Sequence, residues 1–288
     1  MVSACLWGVS GATNQYLFHT VGVTPEWVVS TRMFFMGIFF LLFLQMRKGN
    51  VTQILKEKQD RKRMLVFALL GMLFIQYGYL AAIAHSNAAT ATVLQYTSPI
   101  LIVVYLALRH RKLPAPIECV AVFGAVAGTF LLATHGNIRS LSISPAALFW
   151  GLLSALAMAF YSIYPKKLME KYETMLLIGW AMFIAGGVMN FIHPFWQWQG
   201  NWDTTGILCL AFVIFFGTII PYLLFLEGIK HIGPMRSNLF ASMEPVSSAV
   251  VSVLWLQVRL DPVDYIGFAL IVITVFLLSF AKPGETAG

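Results

Sequence analysis

The chain has 288 residues, 59% hydrophobic and 11% charged, with a net charge of +7 and a mean hydropathy of +0.77. A soluble domain carries about twice that charged fraction, which excludes a soluble enzyme or a nucleic-acid-binding module as the main body. The apolar residues come in runs of about twenty without strand-like alternation, the pattern of a polytopic helical membrane protein rather than a barrel.

In chain order, spans are predicted at roughly 2–18, 26–46, 63–84, 88–108, 115–134, 145–164, 174–196, 205–229, 235–256 and 262–281. The chain enters the first almost at Met1 with no basic region before it, so that span is expected to be retained rather than cleaved. The breaks carry turn chemistry: "VGVTPE" at 21–26, "KLPAP" at 112–116, "GNIRSLSISP" at 136–145, "WQGNWD" at 198–203 and "HIGP" at 231–234. The longest break, 47–62, leaves no room for a soluble domain. Its neighbourhood "KEKQDRKR" (56–63) mixes both charge signs between two spans, so it is read as a membrane-orienting loop and no nucleic-acid partner is expected. Cys5, Cys119 and Cys209 each fall inside an apolar run with no metal-ligand spacing, and are read as packing residues.

With a cytoplasmic N-terminus, almost all of the 19 Lys and Arg fall in inside loops or the tail; Arg139 and Arg259 lie outside and Arg32 lies within the second span. Adding or removing one span destroys that asymmetry, so it supports ten spans with both termini cytoplasmic. Trp27, Trp196, Trp198 and Trp202 then form an outer aromatic belt.

The two halves resemble each other. "CLWGVSGATNQY" (5–16) matches "LFWGLLSALAMAF" (148–160) through Trp7-Gly8 and Trp150-Gly151. "AAIAHSNAATATVLQYTSP" (81–99) aligns without a gap to "EGIKHIGPMRSNLFASMEP" (227–245), placing His85 on His231 and Pro99 on Pro245; Pro116 then falls on Pro262. Five spans per half is an odd number, so the second half is expected upside down relative to the first. The fold class is therefore an all-α membrane protein, ten transmembrane helices as two inverted five-helix repeats, at 1–135 and 144–281. Inverted repeats of this kind serve alternating access in secondary transporters.

On these features, with "WGVSG", "ATATVLQYTSPILIVVYLAL" and "ASMEPVSSAVVSVLWLQVRLDPVDYIGFALIVITVFLL", the chain resembles the drug/metabolite transporter superfamily, and within it the EamA-type exporters, over nearly its whole length. The resemblance implies a central cavity lined by spans 1, 3, 4, 6, 8 and 9, a plasma (inner) membrane location and export of small metabolites. One departure stands out: where the family often carries Gly-Glu at the ends of spans four and nine, this chain has Arg109-His110 and Gln257-Val258.

Glu244 lies near the middle of the ninth span. An ionisable group there must face protein or water and find a partner. It is read either as a cavity carboxylate that binds a cationic group or carries a coupling proton, or as a structural carboxylate bonded to a neighbouring helix. Its first-half counterpart is Ser98. Pro99 and Pro245, at matched depths, are candidate hinges, as is Pro221; the alternative is a static packing kink. Asn14, Gln15, Gln76, Tyr77, Gln95, Tyr96, Tyr161, Asn238 and Ser242 are candidate substrate-binding residues, since amides, aromatics and one acid suit a small amphipathic solute. Each taken alone also fits an interhelical hydrogen bond.

Arg32 is read as snorkelling to the headgroups or pairing with a carboxylate. Glu227 is read as a local interfacial pair with Lys230 and His231, and Gly124 with Gly128 as a close-packing GxxxG. No phosphate-binding P-loop, H-E-x-x-H or acidic metal pair occurs in the spans. No cofactor, metal or enzymatic activity is expected. The expected partners are a small-molecule substrate and the lipid bilayer, with proton coupling and a homodimer left open. The competing class is a membrane receptor or assembly protein that binds without transporting.

Overall fold

The computed structural model describes residues 1–111, 116–135, 142–225, 228, 231, 241 and 243–280. All regular structure among them is helical. In chain order the helices are α1 (Val2–Tyr16), α2 (Pro25–Met46), α3 (Lys58–Val66), α4 (Phe74–His85), α5 (Ala88–Gln95), α6 (Ser98–His110), α7 (Pro116–Thr134), α8 (Pro145–Ile163), the short α9 (Lys166–Met169), α10 (Thr174–Ile192), α11 (Thr204–Ile214), α12 (Met243–Leu254) and α13 (Pro262–Phe280). Wider π-helical turns continue α1 through Leu17–Val21, join α3 to α4 through Phe67–Leu73, and extend α11 through Phe215–Ile219.

Six stretches are long and apolar enough to cross a membrane: Pro25–Met46, Lys58–His85, Ala88–Arg109, Pro145–Ile163, Thr174–Ile192 and Thr204–Phe225. Pro116–Leu132, Met243–Leu254 and Pro262–Thr274 are shorter apolar helices. The chain is a multi-pass helical membrane protein.

The helix starts follow local chemistry. Thr24, Asn87, Ser144 and Asp203 each cap a helix by accepting a backbone N–H from the first turn, at 3.4, 2.9, 3.0 and 2.7 Å; such caps contribute about 1 kcal/mol each. One helix starts earlier than predicted. The charged stretch expected as a loop is helical from Lys58, because Asp60 is buried beneath it. Asp60 accepts from the Tyr172 hydroxyl at 2.8 Å and from Lys171 Nζ at 3.1 Å, and Lys171 also reaches Glu57 at 3.1 Å. These hydrogen bonds, donated by Lys171 to Glu57 and then Asp60, hold its ammonium above the ordinary lysine pKa.

The helices pack in reciprocal pairs. α2 lies along α10, and α7 along α13. α1 packs on α12, as α8 packs on α5; α4 packs on α8, as α11 packs on α1. Two close approaches show why glycine is needed. A Cβ on Gly8 would meet the Glu244 carbonyl oxygen at 2.8 Å, so the Trp-Gly of α1 admits α12. A Cβ on Gly128 would meet the Gly267 carbonyl oxygen at 2.8 Å, so the GxxxG of α7 does seat a neighbouring helix. At one end of that pair His135 contacts Asp264 through Nε2 at 2.8 Å and Asp261 through Nδ1 at 3.3 Å.

Candidate functional site

The fourth predicted span does not run as one kinked helix. It ends at Gln95 and restarts at Ser98, so Pro99 sits in the first turn of α6 rather than within a continuous helix. A first-turn N–H has no intrahelical acceptor, so proline costs nothing there. The Thr97 hydroxyl donates to the Leu94 carbonyl at 2.7 Å, supplying locally a bond that the break removes.

Pro245 is buried on α12, whose described residues begin at Met243, with Ala241 also helical. Having no N–H, it leaves the carbonyl one turn back, that of Ala241, without its helical donor. The Tyr96 hydroxyl takes that role, donating to Ala241 O at 2.8 Å. The same hydroxyl lies 3.1 Å from Glu244 Oε2. A phenol has one proton, so it can donate to only one of these two acceptors. Both contacts are satisfied together when Glu244 carries a proton and donates it to Tyr96. Tyr96 lies at the break between α5 and α6, and both of its acceptors lie beside Pro245.

Beside this junction runs a second chain of hydroxyls. Tyr79 Oη is 2.9 Å from Thr92 Oγ1, which donates to the Ala88 carbonyl at 2.7 Å and lies 3.4 Å from Ser248 Oγ. A third chain joins the Arg32 guanidinium to Gln76 Oε1, and Gln76 Nε2 to the Tyr222 hydroxyl at 3.4 Å. Trp7 meets Tyr222 edge-on, with ring centroids 5.4 Å apart.

The sequence-predicted residues thus divide. Glu244 and Tyr96 are brought together, and Gln76 lies in the arginine chain. Gln95 is buried and donates to Ser154 Oγ at 3.4 Å. Asn14 is buried, donating back to the Ser10 carbonyl at 2.8 Å, while its own Oδ1 has no partner among the described residues. Gln15 accepts the Ala88 N–H at 2.8 Å and so helps begin α5. Tyr77 points elsewhere, donating to Glu26 at 2.6 Å with its ring edge-on to Trp150. Tyr161 stacks on Phe67. Pro221 is buried just beyond the wide turn Phe215–Ile219. Asn238 and Ser242, like Glu227, lie outside the described residues.

Arg32 corrects an expectation. It neither snorkels nor meets a carboxylate among the described residues; it is 6% exposed and reaches inward to Gln76. Tyr79, Thr92, Tyr222 and Ser248 were missed. Only Tyr222, one residue after a mid-span proline, carried a local signal.

An all-helical chain with six stretches able to cross a membrane and a half-buried carboxylate held across helices has the architecture of a multi-pass membrane protein. The comparisons agree: residues 1–134 and 145–280 each match the EamA-like transporter family, and the chain belongs to it. It is similar to the uncharacterized inner membrane transporter YicL of Salmonella typhimurium, 38% identical over 97% of this chain and 93% of that protein. It is also similar to the uncharacterized inner membrane transporter YedA of Escherichia coli K12, 22% identical over 96% and 88%. A solved crystal structure shares the fold at a TM-score of 0.60 and 17% identity, with 96% of each chain covered.

Proposed function

We propose that this transporter is a secondary exporter of small amphipathic metabolites, amino acids and related compounds among them. It works by alternating access in the inner membrane, with both termini cytoplasmic. The ten helical stretches act as two inverted five-helix repeats that rock about a midplane site, and the chain segments around Pro99, Pro245 and Pro221 absorb the motion. The reciprocal packing of α1 on α12 and α8 on α5 supports this arrangement, as does the separate family match of each half.

The observation that carries the reading is the grip of Tyr96 on Ala241 and Glu244. Protonated, Glu244 leaves the Tyr96 proton free for the Ala241 carbonyl. Ionised, it competes for that proton and weakens the bond that stands in for the one Pro245 removed. Proton transfer at Glu244 therefore changes how the segments around Pro99 and Pro245 hold each other, which is what coupling requires of a two-state element.

Flux of candidate solutes from proteoliposomes, with and without an imposed pH gradient, tests it. Gradient-driven flux that falls to the empty-liposome level in Glu244→Gln is expected. Binding without flux for every solute would favour the receptor class instead, and a Glu244→Gln variant with unchanged pH dependence would remove the proton from the mechanism.

A further inference from the structure

Arg32 is the unexplained charge of the molecule. It lies two turns below the start of α2, about 10 Å at 1.5 Å per residue, and is 6% exposed. A snorkelling arginine turns outward; this one turns inward to Gln76. A guanidinium has five N–H donors in a planar fork, and one side-chain acceptor meets it among the described residues. Gln76 is itself committed, donating onward to Tyr222. A desolvated guanidinium costs several kcal/mol unless an anion faces it, and no carboxylate among the described residues is in ion-pair contact with it.

Glu244, half-buried on α12, is engaged by Tyr96. Tyr222 is bonded to Gln76, which holds Arg32, and Tyr79, three residues beyond Gln76 on α4, reaches through Thr92 to Ser248, one turn beyond Glu244 on α12. Two opposite charges therefore border one cluster of tyrosines without neutralising each other. Arg32 is presented by α2 and α4, while Glu244 is presented by α12.

We propose that Arg32 is the anion-binding group of the solute site, taking a carboxylate of the transported molecule on its free N–H edge while Glu244 faces the amine end. The inference rests on the transporter reading and narrows its substrate to small zwitterions. The planar fork favours a two-oxygen acceptor. The tyrosine rings between the charges suit the apolar body of such a solute.

The test uses the full chain in lipid nanodiscs and thermal-shift titration with the common amino acids, each paired with its carboxamide, which lacks the carboxylate. The amino acids that bind are expected to lose at least tenfold in apparent affinity as carboxamides. Arg32→Gln is expected to weaken the acids at least tenfold and leave the carboxamides unchanged, whereas Arg32→Lys keeps part of the preference. The proposal is overturned if carboxamides bind as well as acids, if Arg32→Gln still discriminates, or if no amino acid binds. It is also overturned if Arg32→Gln combined with Glu244→Gln restores binding, since Arg32 is then only a counter-charge to Glu244. Flux of carboxylate-free amines that ignores Arg32 would sink this inference and leave the transporter standing. Carboxylate-selective binding without flux would do the reverse.

Discussion

Pro99 and Pro245 occupy matching places in the two segments that match the family, yet the chain around them is held in different ways. At the first, the Thr97 hydroxyl meets the Leu94 carbonyl within the same segment, and the position that matches Glu244 is Ser98. At the second, the carbonyl freed by Pro245 is met from the opposite half by Tyr96, which also faces the carboxylate. The chain around Pro99 is supported by its own segment, and the chain around Pro245 is supported by Tyr96 from the other segment. Two segments that match one family model thus carry a local support in one and a cross-segment support beside a carboxylate in the other.

The largest effect is expected at Glu244. Glu244→Gln keeps a donor for Tyr96 but cannot ionise, so gradient-driven flux should fall at least tenfold while folding is retained. Flux in proteoliposomes with a melting curve of the same preparation checks both parts. Tyr96→Phe should come next. It leaves the Ala241 carbonyl without its donor and Glu244 without its partner, an expected loss of about 1–3 kcal/mol, together with reduced flux and a blunted pH profile. If Tyr96→Phe changes stability alone, the cross-half support is structural and the comparison loses its functional side. Thr97→Val removes only the local hydroxyl, with an expected cost of about 1 kcal/mol and flux within twofold of the parent. A Thr97→Val variant as impaired in flux as Tyr96→Phe would show the two supports to be equivalent.

The smallest effect is expected far from both prolines. Hydrogen bonds from Lys171 to Glu57 and Asp60 raise its folded-state pKa above the unfolded value. Its contribution is therefore fully present below the ordinary lysine pKa of about 10.4 and is lost as pH rises through the higher folded value. The melting difference between the parent and Lys171→Met should stay constant from neutral pH to about 9 and shrink only above about 10.5. A difference that already varies near pH 7 would point to another group.

Much of the fold was legible because lipid imposes long apolar helices and turn residues mark their ends. Thr24, Ser144 and Asp203 all begin helices where the breaks were read. Glu244 and the prolines were legible because a charge or a missing donor is conspicuous in such a run. The target of Tyr96 was not, because a hydroxyl in an apolar segment says nothing about which helix it will face. Arg32 was misjudged for a related reason: its distance from the span's end permits snorkelling, and only the packing of α2 against α4 turns it inward. The early start of α3 also depended on distant residues, since Lys171 and Tyr172 come from beyond the eighth helix. Thr92 and Ser248 look like small packing residues until the fold lays Tyr79 beside them.

The pairing of α7 with α13 joins one helix from each half across backbones close enough to exclude even a methyl group at Gly128, with His135 bridging to Asp261 and Asp264 at one end. Such a seam resists both separation and sliding, because either movement would open a contact that no lipid tail or side chain can refill. It therefore binds α7 and α13 into a single unit.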